Sequence, residues 1–242
     1  MLYLFTDFGY EGPYVGQMKA VVSDPSLQCL VIDLMHDVPR FNVKAGAHLL
    51  AAATKFIPKN SIVVAVVDPG VGSARKGLVL RADENWYVGP DNGLLDVVAR
   101  DATLCEWYEI DYKSEDTSPS FHGRDIFMPV AHNIFRKQLM NTMLIPSLNY
   151  LPKIDVPNLS EVIYVDHFGN LITGLLASQI NENVGISFKG ERLERANTFS
   201  DVDMGKAFFY VNSQGLIEVS VNCGSAEEFF TAKIGDSLEL LG

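Results

Sequence analysis

The segment 61-SIVVAVVDPGVGSARK-76 turns directly from an apolar run into a loop that contains an acid, a proline and two glycines. The run 61–67 lacks the alternating polar positions of a half-exposed strand, and such runs are typical of strands buried on both faces of a parallel sheet. Ligands of open parallel sheets bind beyond the carboxyl ends of the strands. Asp68 stands at such an end, and Arg75 follows at the far end of the loop.

Three interpretations of this loop compete. A phosphate-binding loop needs the pattern GxxxxGK[ST] followed by a helix, but Gly70 and Gly72 are too close together and the next segment, 77-GLVLRA-82, is a predicted strand. A plain turn stays open, because Asp-Pro-Gly forms turns in many contexts. The third interpretation is a charge held at the sheet edge for chemistry. The loop by itself does not decide between the last two.

The pattern around this segment predicts strands alternating with helices. The predicted strands are 1–5, 28–35, 61–67, 77–82, 85–89 and 103–110. Four helices are also predicted: one that begins near Pro13, one that begins after a cap at Asn42, and two more around 91–100 and 125–138. Apolar strands alternating with helices favour a mostly parallel sheet covered on both faces. We therefore expect an N-terminal α/β sandwich domain over residues 1–150.

The pattern changes after residues 141–160, which contain several prolines and little periodicity and are expected to form a linker. Short strands are then predicted at 161–166, 170–173, 184–188, 206–213, 216–222 and 237–241, with one helix at 225–231. Short strands joined by turn residues favour a small antiparallel β-barrel. A second, C-terminal domain is therefore expected over residues 160–242.

Composition argues against several classes of protein. A nucleic-acid surface needs clustered Lys and Arg, which a net charge of −11 at pH 7 disfavours. No apolar run approaches the roughly 18 residues that span a bilayer, and the N-terminus has neither a basic region nor a long apolar core. The three cysteines are far apart and do not suggest a disulfide framework. We expect a cytoplasmic protein that binds neither nucleic acid nor membrane.

The histidines give no sign of a metal site. They stand at positions 36, 48, 122, 132 and 167, without the spacing of a ligand motif. His48 and His132 fall within helical patterns, so they are expected to be structural. We therefore predict that the protein holds no metal.

Other polar stretches each allow a plain and a functional interpretation. Asp7, in 6-TDFGYEG-12, follows the first strand, where a carboxylate either caps the next element or accepts the two hydroxyls of a ribose. His122, in 121-FHGRDIF-127, precedes a predicted helix, and Gly123 beside it would let a ligand approach the backbone. The stretches 166-DHFGN-170 and 212-NSQG-215 have the composition of turns.

Taken together, the motifs resemble one family. In chain order they are TDFG (6–9), HDVPRFNVKAGAHLL (36–50), VVDPGVGSARK (66–76), YVGPDNGLL (87–95), FHGRDIF (121–127), YVDHFGN (164–170) and NSQG (212–215). This order resembles that of the S-adenosyl-L-methionine (SAM) hydroxide adenosyltransferases, which are related to fluorinating and chlorinating enzymes that attack the same substrate. The resemblance runs from residue 2 to about residue 230.

The resemblance implies an activity and an assembly. The expected reaction converts SAM and water to adenosine and L-methionine, with SAM as substrate and no separate cofactor. The expected fold is an α/β domain followed by a β-barrel. The expected assembly is a homotrimer with its sites between neighbouring subunits.

The resemblance also implies roles for individual residues. The positions that match the residues thought to hold and activate water are Asp68, Arg75 and His122. The positions that match substrate-binding residues are Asp7 for the ribose hydroxyls, Phe41 beside the ligand, and Asp166, Asn170 and Ser213 for the methionine part.

Two alternatives are weighed against the hydrolase. A halide-dependent adenosyltransferase is disfavoured, because the halogenating relatives have a tyrosine in place of Asp68, and the fluorinating ones have a halide-binding serine in place of Gly123. A carboxylate beside the nucleophile would repel an anion. A non-catalytic sensor of SAM or adenosine would not need Asp68, Arg75 and His122 together. Gln214 stands where some relatives have an arginine for the methionine carboxylate, so that contact is left open.

Overall fold

The computed structural model describes residues 1–23, 29–112, 116–138, 143–154, 158–181 and 183–241. Position 28 of the second predicted strand and positions 141–142 and 155–157 of the predicted linker lie outside the described residues. The chain divides into two compact units, Met1–Asp155 and Val156–Gly242. Within the described residues, no helix combines the length and the apolar character needed to cross a membrane.

The first unit contains one seven-stranded sheet with helices. Its strands are β1 (Leu2–Thr6), β2 (Val31–Met35), β3 (Ile62–Val66), β4 (Gly77–Ala82), β5 (Asn85–Pro90), β6 (Cys105–Ile110) and β7 (Leu144–Pro146). Its helices are α1 (Tyr14–Ala20), α2 (Val43–Ala53), α3 (Asp96–Asp101) and α4 (Met128–Phe135), with a 3-10 turn at Thr54–Phe56 and a π-helical turn at Gly123–Phe127 that leads into α4.

The sheet is mixed, so the prediction of a mostly parallel sheet was wrong in detail. The strand order is β2-β1-β3-β5-β4-β6-β7. Neighbours among β2, β1, β3 and β5 are parallel, whereas β4 is antiparallel to β5 and β6, and β6 is antiparallel to β7. The cause is the short link at 83–84 between β4 and β5, because so short a connection can join only antiparallel strands.

The core of the first unit confirms the interpretation of the apolar runs. All residues of β1 and β3 are buried. Helix α2 begins after Asn42, whose side-chain oxygen accepts a hydrogen bond from the N–H of Ala45 at 3.0 Å, so the predicted cap is confirmed. Strands β1 and β3 are parallel neighbours, so their carboxyl ends lie at one edge of the sheet.

Part of the predicted linker is built into the first unit. Residues Leu144–Pro146 form β7, and the Tyr150 hydroxyl donates to the buried Asp96 carboxylate at 2.6 Å. The N–H of Ile154 donates to the same carboxylate at 2.9 Å. This stretch lacks periodicity because side-chain anchors hold it, and sequence periodicity does not reveal such anchors.

The second unit is a seven-stranded, nearly closed sheet. Its strands are β8 (Leu159–Val165), β9 (Leu171–Leu176), β10 (Gly185–Phe188), β11 (Glu191–Arg195), β12 (Ala207–Val211), β13 (Leu216–Val221) and β14 (Leu238–Leu241), in the order β14-β10-β11-β12-β13-β9-β8. Its helix α5 is Ala226–Phe230, with 3-10 turns at Ala177–Gln179 and Phe199–Asp201. All pairings are antiparallel except β11 with β12. The ends approach each other where the N–H of Val162 in β8 donates to the carbonyl of Asp236 at 2.9 Å.

Candidate functional site

Two carboxylates lie at the same edge of the first sheet. Strands β1 and β3 are parallel neighbours, with Thr6 opposite Val66 at their carboxyl ends. Asp7 follows β1, and Asp68 lies just beyond β3. The N–H of Asp7 donates to the carbonyl of Val66 at 3.3 Å, which ties the two strand ends together. The structure therefore brings together the two acid-bearing loops that the sequence singled out.

The loop after β3 depends on a glycine. Gly72 has a φ of +79°, and a Cβ there would lie 2.6 Å from the carbonyl oxygen of Pro119. Only a residue without a side chain permits that approach. The close contact packs the loop 68–75 against the segment that leads to His122. The glycine is thus required both by its backbone conformation and by the space around it.

Arg75 joins the other two candidate catalytic residues in one hydrogen-bonded group. Its Nε donates to Oδ1 of Asp68 at 2.9 Å, and its Nη2 donates to Oδ2 of the same carboxylate. Nη2 also lies 3.0 Å from Nδ1 of His122. The side chains of Arg75 and Asp68 are only 10% and 5% exposed, so this fork-shaped ion pair is shielded from water.

The contact with Arg75 defines the protonation state of His122. A guanidinium group has N–H donors and no acceptor, so Nδ1 of His122 must accept the hydrogen bond. The imidazole is therefore neutral, with its hydrogen on Nε2. Burial lowers the pKa of His122 below its ordinary value of 6.5, the positive charge of Arg75 lowers it further, and the charge of Asp68 partly opposes both effects. The geometry and the electrostatics agree.

Asp7 is a half-buried carboxylate, and one of its oxygens accepts a backbone hydrogen bond. Its Oδ2 accepts the N–H of Phe41 at 3.0 Å. Burial raises the pKa of Asp7, while the hydrogen bond from Phe41 opposes the shift and the nearby charge of Asp68 adds to it. Phe41 itself has a φ of +61°, a conformation that a bulky residue rarely adopts. Phe41 is also 72% exposed.

One cavity of about 360 Å³ lies between these groups. The residues that line it are Asp7, Phe8, Tyr14, Arg40, Phe41, Val66, Asp68, Val71, Ser120, Phe121, His122 and Gly123. Phe8, Tyr14 and Phe121 form an aromatic cluster, with ring centroids 5.6–5.9 Å apart. Four predicted site residues thus share one cavity, and Arg75 is bonded to two of them.

The sequence interpretation missed several residues of this site. Phe8 and Phe121 belong to the motifs TDFG and FHGRDIF, but nothing in their type or spacing marks them as part of a cavity wall. Asn92 holds the end of β3, because its Nδ2 donates to the carbonyl of Val67 at 2.8 Å, next to Asp68. The motif YVGPDNGLL contains Asn92, but the contact joins residues distant in sequence, so composition alone does not reveal it.

The second unit contains the other three predicted binding residues. Asp166, Asn170 and Ser213 line one open cavity of about 860 Å³, together with Gln214 and Glu218 among others. Oδ1 of Asp166 accepts the N–H of Asn170 at 2.9 Å, and Oδ2 accepts the Asn170 side-chain amide at 2.9 Å. The composition of 166-DHFGN-170 predicted this turn, and the structure confirms it.

Two of the histidines lie in helices of the first unit. His48 lies in α2 and His132 in α4, as predicted. In the part of the chain that the structure describes, no group of three or more His, Cys, Asp and Glu side chains is placed to hold a metal ion.

Sequence profiles of one family match both units. The N-terminal domain of the SAM hydroxide adenosyltransferases matches residues 2–143, and the C-terminal domain matches residues 160–239. The chain belongs to the SAM hydroxide adenosyltransferase family. The resemblance first seen in seven short motifs is therefore confirmed over nearly the whole chain.

Individual proteins are similar to this chain along nearly their full length. The chain is 35% identical to the (R)-S-adenosyl-L-methionine hydrolase of Thermus thermophilus, over 99% of both chains. It is 23% identical to the fluorinase of Actinopolyspora mzabensis, over 97% of this chain and 95% of that protein. Its structure is similar to the crystal structure of an uncharacterized conserved protein from Thermotoga maritima, with a TM-score of 0.88, 32% identity and coverage of 99% and 100% of the two chains.

Proposed function

We propose that this chain hydrolyses SAM to adenosine and L-methionine, with Asp68, Arg75 and His122 holding the attacking water. Membership of the SAM hydroxide adenosyltransferase family and full-length similarity to a SAM hydrolase support the reaction. The observation that carries the proposal is the hydrogen-bonded group of Asp68, Arg75 and His122 beside a cavity. Its members are polar and charged where an apolar pocket would suffice for binding alone.

The chemistry explains why a small polar group is enough. The oxygen of water attacks C5′ of SAM, the C5′–S bond breaks, and its electron pair passes to the sulfur. The sulfonium charge is thereby neutralised, and methionine leaves as a neutral thioether that needs no proton. The site must hold the water in line with the C5′–S bond and accept one proton from it.

The hydrogen bonds favour one division of roles. Nδ1 of His122 already accepts from Arg75, and Nε2 carries the hydrogen, so His122 acts as a donor that orients the water. Asp68 accepts the proton through Oδ1, which has a second lone pair beyond its bond to Nε of Arg75, whereas Oδ2 already accepts from both Nε and Nη2. Arg75 fixes both partners and stabilises negative charge on the oxygen as the proton leaves.

The cavity residues suit the adenosine part of the substrate. We assign Asp7 to the two ribose hydroxyls, because hydrogen bonds from them would compensate the partial burial that raises the pKa of this carboxylate. The exposed ring of Phe41 is assigned to a contact with the flat surfaces of the nucleoside. The overall charge of −11 also suits a cationic substrate.

Binding of the methionine part is assigned to the second unit. Asp166, Asn170 and Ser213 line a single cavity there, and Gln214 beside them is the candidate partner of the methionine carboxylate. The family resemblance supports a homotrimer whose sites involve neighbouring subunits, a cytoplasmic location and a reaction without cofactor. Sedimentation of the purified protein tests the trimer directly.

Purified protein incubated with SAM in halide-free buffer tests the proposal. The expected products are adenosine and methionine in equal amounts, separated by chromatography. A halide-dependent transferase would need added chloride or fluoride and would release a 5′-halogenated nucleoside. A sensor would bind SAM or adenosine without turnover, which calorimetry would detect. Either of these outcomes would replace the hydrolase.

A further inference from the structure

Glu218 is a buried carboxylate that the proposed reaction does not use. It lies on β13 in the second unit, is only 4% exposed, and belongs to the wall of the cavity that contains Ser213. A carboxylate in such a position destabilises the fold unless hydrogen bonds satisfy it. Its partners therefore indicate why it is there.

Each oxygen of Glu218 accepts a hydrogen bond from the neighbouring strand or its turn. Oε1 accepts the hydroxyl of Tyr210, the residue directly opposite on β12, at 2.6 Å. Oε2 accepts Nδ2 of Asn212 at 3.0 Å. Burial raises the pKa of Glu218, and these two hydrogen bonds oppose the shift.

Asn212 passes this contact on to the turn 212–215. Its Oδ1 accepts the N–H groups of both Gln214 and Leu216 at 3.0 Å. A carboxamide can serve these N–H groups only when its oxygen faces them, so its NH₂ must face the other way. Glu218 is the acceptor on that other side, and it thereby fixes which way the amide points.

We propose that Glu218 is a positioning residue that holds the turn 212–215 in the conformation that presents Ser213 and Gln214 to the cavity. It acts through Asn212 rather than through contact with substrate. The expected effect on KM rests on the proposed function, since it requires Ser213 and Gln214 to bind the methionine part of SAM. The expected effect on the conformation of the turn 212–215 does not depend on that function.

Two substitutions of Glu218 separate this role from simple filling of the core. Glu218→Leu keeps most of the volume and removes both acceptors, at some cost in stability because the donors of Tyr210 and Asn212 are left unpaired. Glu218→Gln keeps one acceptor for Asn212. Ser187→Ala is the matched control, because Ser187 is also buried in the second unit and donates to Glu239 at 2.9 Å on strands that are not adjacent to β13.

Amide hydrogen exchange measures the order of the turn 212–215 without an activity assay. In Glu218→Leu the amides of Gln214 and Leu216 should exchange roughly tenfold faster than in wild type, the size expected for one lost hydrogen bond. The same variant should raise KM for SAM roughly five- to tenfold with kcat changed by less than about twofold. In Glu218→Gln the exchange rates and KM should both stay close to those of wild type, and Ser187→Ala should change neither.

Unchanged exchange at Gln214 and Leu216 in Glu218→Leu would overturn the inference. So would faster exchange with an unchanged KM in an enzyme that turns SAM over. If the wild-type protein does not hydrolyse SAM, the proposed function fails, and the exchange rates alone still decide the role of Glu218 in the turn. If Glu218→Leu does not fold, Glu218→Met removes the same two acceptors with an unbranched side chain of similar length and must give the same result.

Discussion

Nη2 of Arg75 lies 3.0 Å from Nδ1 of His122, and the same nitrogen also donates to Asp68. One guanidinium group thus holds a carboxylate and an imidazole that are distant in sequence. Because Arg75 can only donate, its position makes His122 a neutral imidazole with an N–H at Nε2. The three side chains therefore form one hydrogen-bonded group, with Arg75 at its centre.

The first prediction concerns pH. Protonation would place a hydrogen on Nδ1 of His122, which faces a donor nitrogen of Arg75, so the group is intact only while His122 is neutral. The pKa of His122 is lowered below 6.5 by burial and by Arg75, so kcat should stay constant down to pH 6.5 and fall only at lower pH. Rates of adenosine formation across pH 5–9 measure this.

The free energy of unfolding should also decrease as the pH falls below 6.5. Since the pKa of His122 is lower in the folded than in the unfolded protein, the unfolded state binds more protons at acidic pH. The contribution of His122 to stability is fully present above 6.5 and is lost as the pH falls through the folded value. An acid limb of kcat centred above 6.5 would contradict the assigned tautomer.

The second prediction tests whether the group acts as a unit. Arg75→Ala and His122→Ala should each lower kcat by roughly 10²–10⁴-fold, since both break the hydrogen-bonded group that we propose holds the water. The double variant should be little worse than Arg75→Ala alone, because residues of one unit are not additive. Single-turnover rates provide the comparison. Fully additive losses would mean that Arg75 and His122 act separately.

The third prediction concerns the charge of Asp68. Asp68→Asn preserves the shape and one acceptor oxygen but removes the negative charge, so it should lower kcat by roughly 10²–10⁴-fold while binding of SAM changes little. Glu106→Gln, at an exposed ion pair with Arg81, is the control and should leave the rate unchanged. Calorimetric binding separates the two effects. Full activity in Asp68→Asn would exclude Asp68 as the proton acceptor.

The fourth prediction concerns the loop between Asp68 and Arg75. Gly72→Ala forces a Cβ to within 2.6 Å of the Pro119 carbonyl, at a φ of +79°. Gly190→Ala is the matched control, since its φ of +82° is similar and nothing lies within 4 Å of the new Cβ. The positive φ should cost both variants roughly 1 kcal/mol. The collision should cost Gly72→Ala about 1–3 kcal/mol more.

Calorimetric unfolding and activity assays together check this comparison. Gly72→Ala should also lose most of its activity, because the displaced loop carries both ends of the ion pair. Gly190→Ala should keep wild-type kcat. Equal effects of the two substitutions would show that the loop tolerates the collision and that its close approach is not required.

Local patterns predicted the elements that position the site. The buried run 61–67 and the cap at Asn42 gave correct elements, because a strand buried on both faces and a helix start are marked by adjacent residues. The position of Asp7 and Asp68 at one sheet edge followed from the parallel pairing of β1 and β3. The strand and the helix cap depend on sequence over short distances, whereas the shared edge was predicted from the general rule for parallel sheets.

Features set by distant contacts were not predicted. The antiparallel half of the sheet follows from the link at 83–84, but strand β7 depends on its pairing with β6, and the stretch after it depends on Asp96, far away in sequence. Strand β11, at 191-ERLER-195, has a single buried residue, Leu193, and gave no apolar signal. The tautomer of His122 depends on which nitrogen faces Arg75, which only the three-dimensional arrangement defines.

The most direct test of water attack at C5′ is turnover of SAM in oxygen-18 water, with mass spectrometry of both products. The expected products are adenosine that carries one oxygen-18 atom at its 5′ hydroxyl and unlabelled methionine, and Asp68→Asn should form labelled adenosine at a far lower rate. Adenosine without the label, or label in methionine instead, would contradict attack of water at C5′ and with it the assigned role of the Asp68, Arg75 and His122 group.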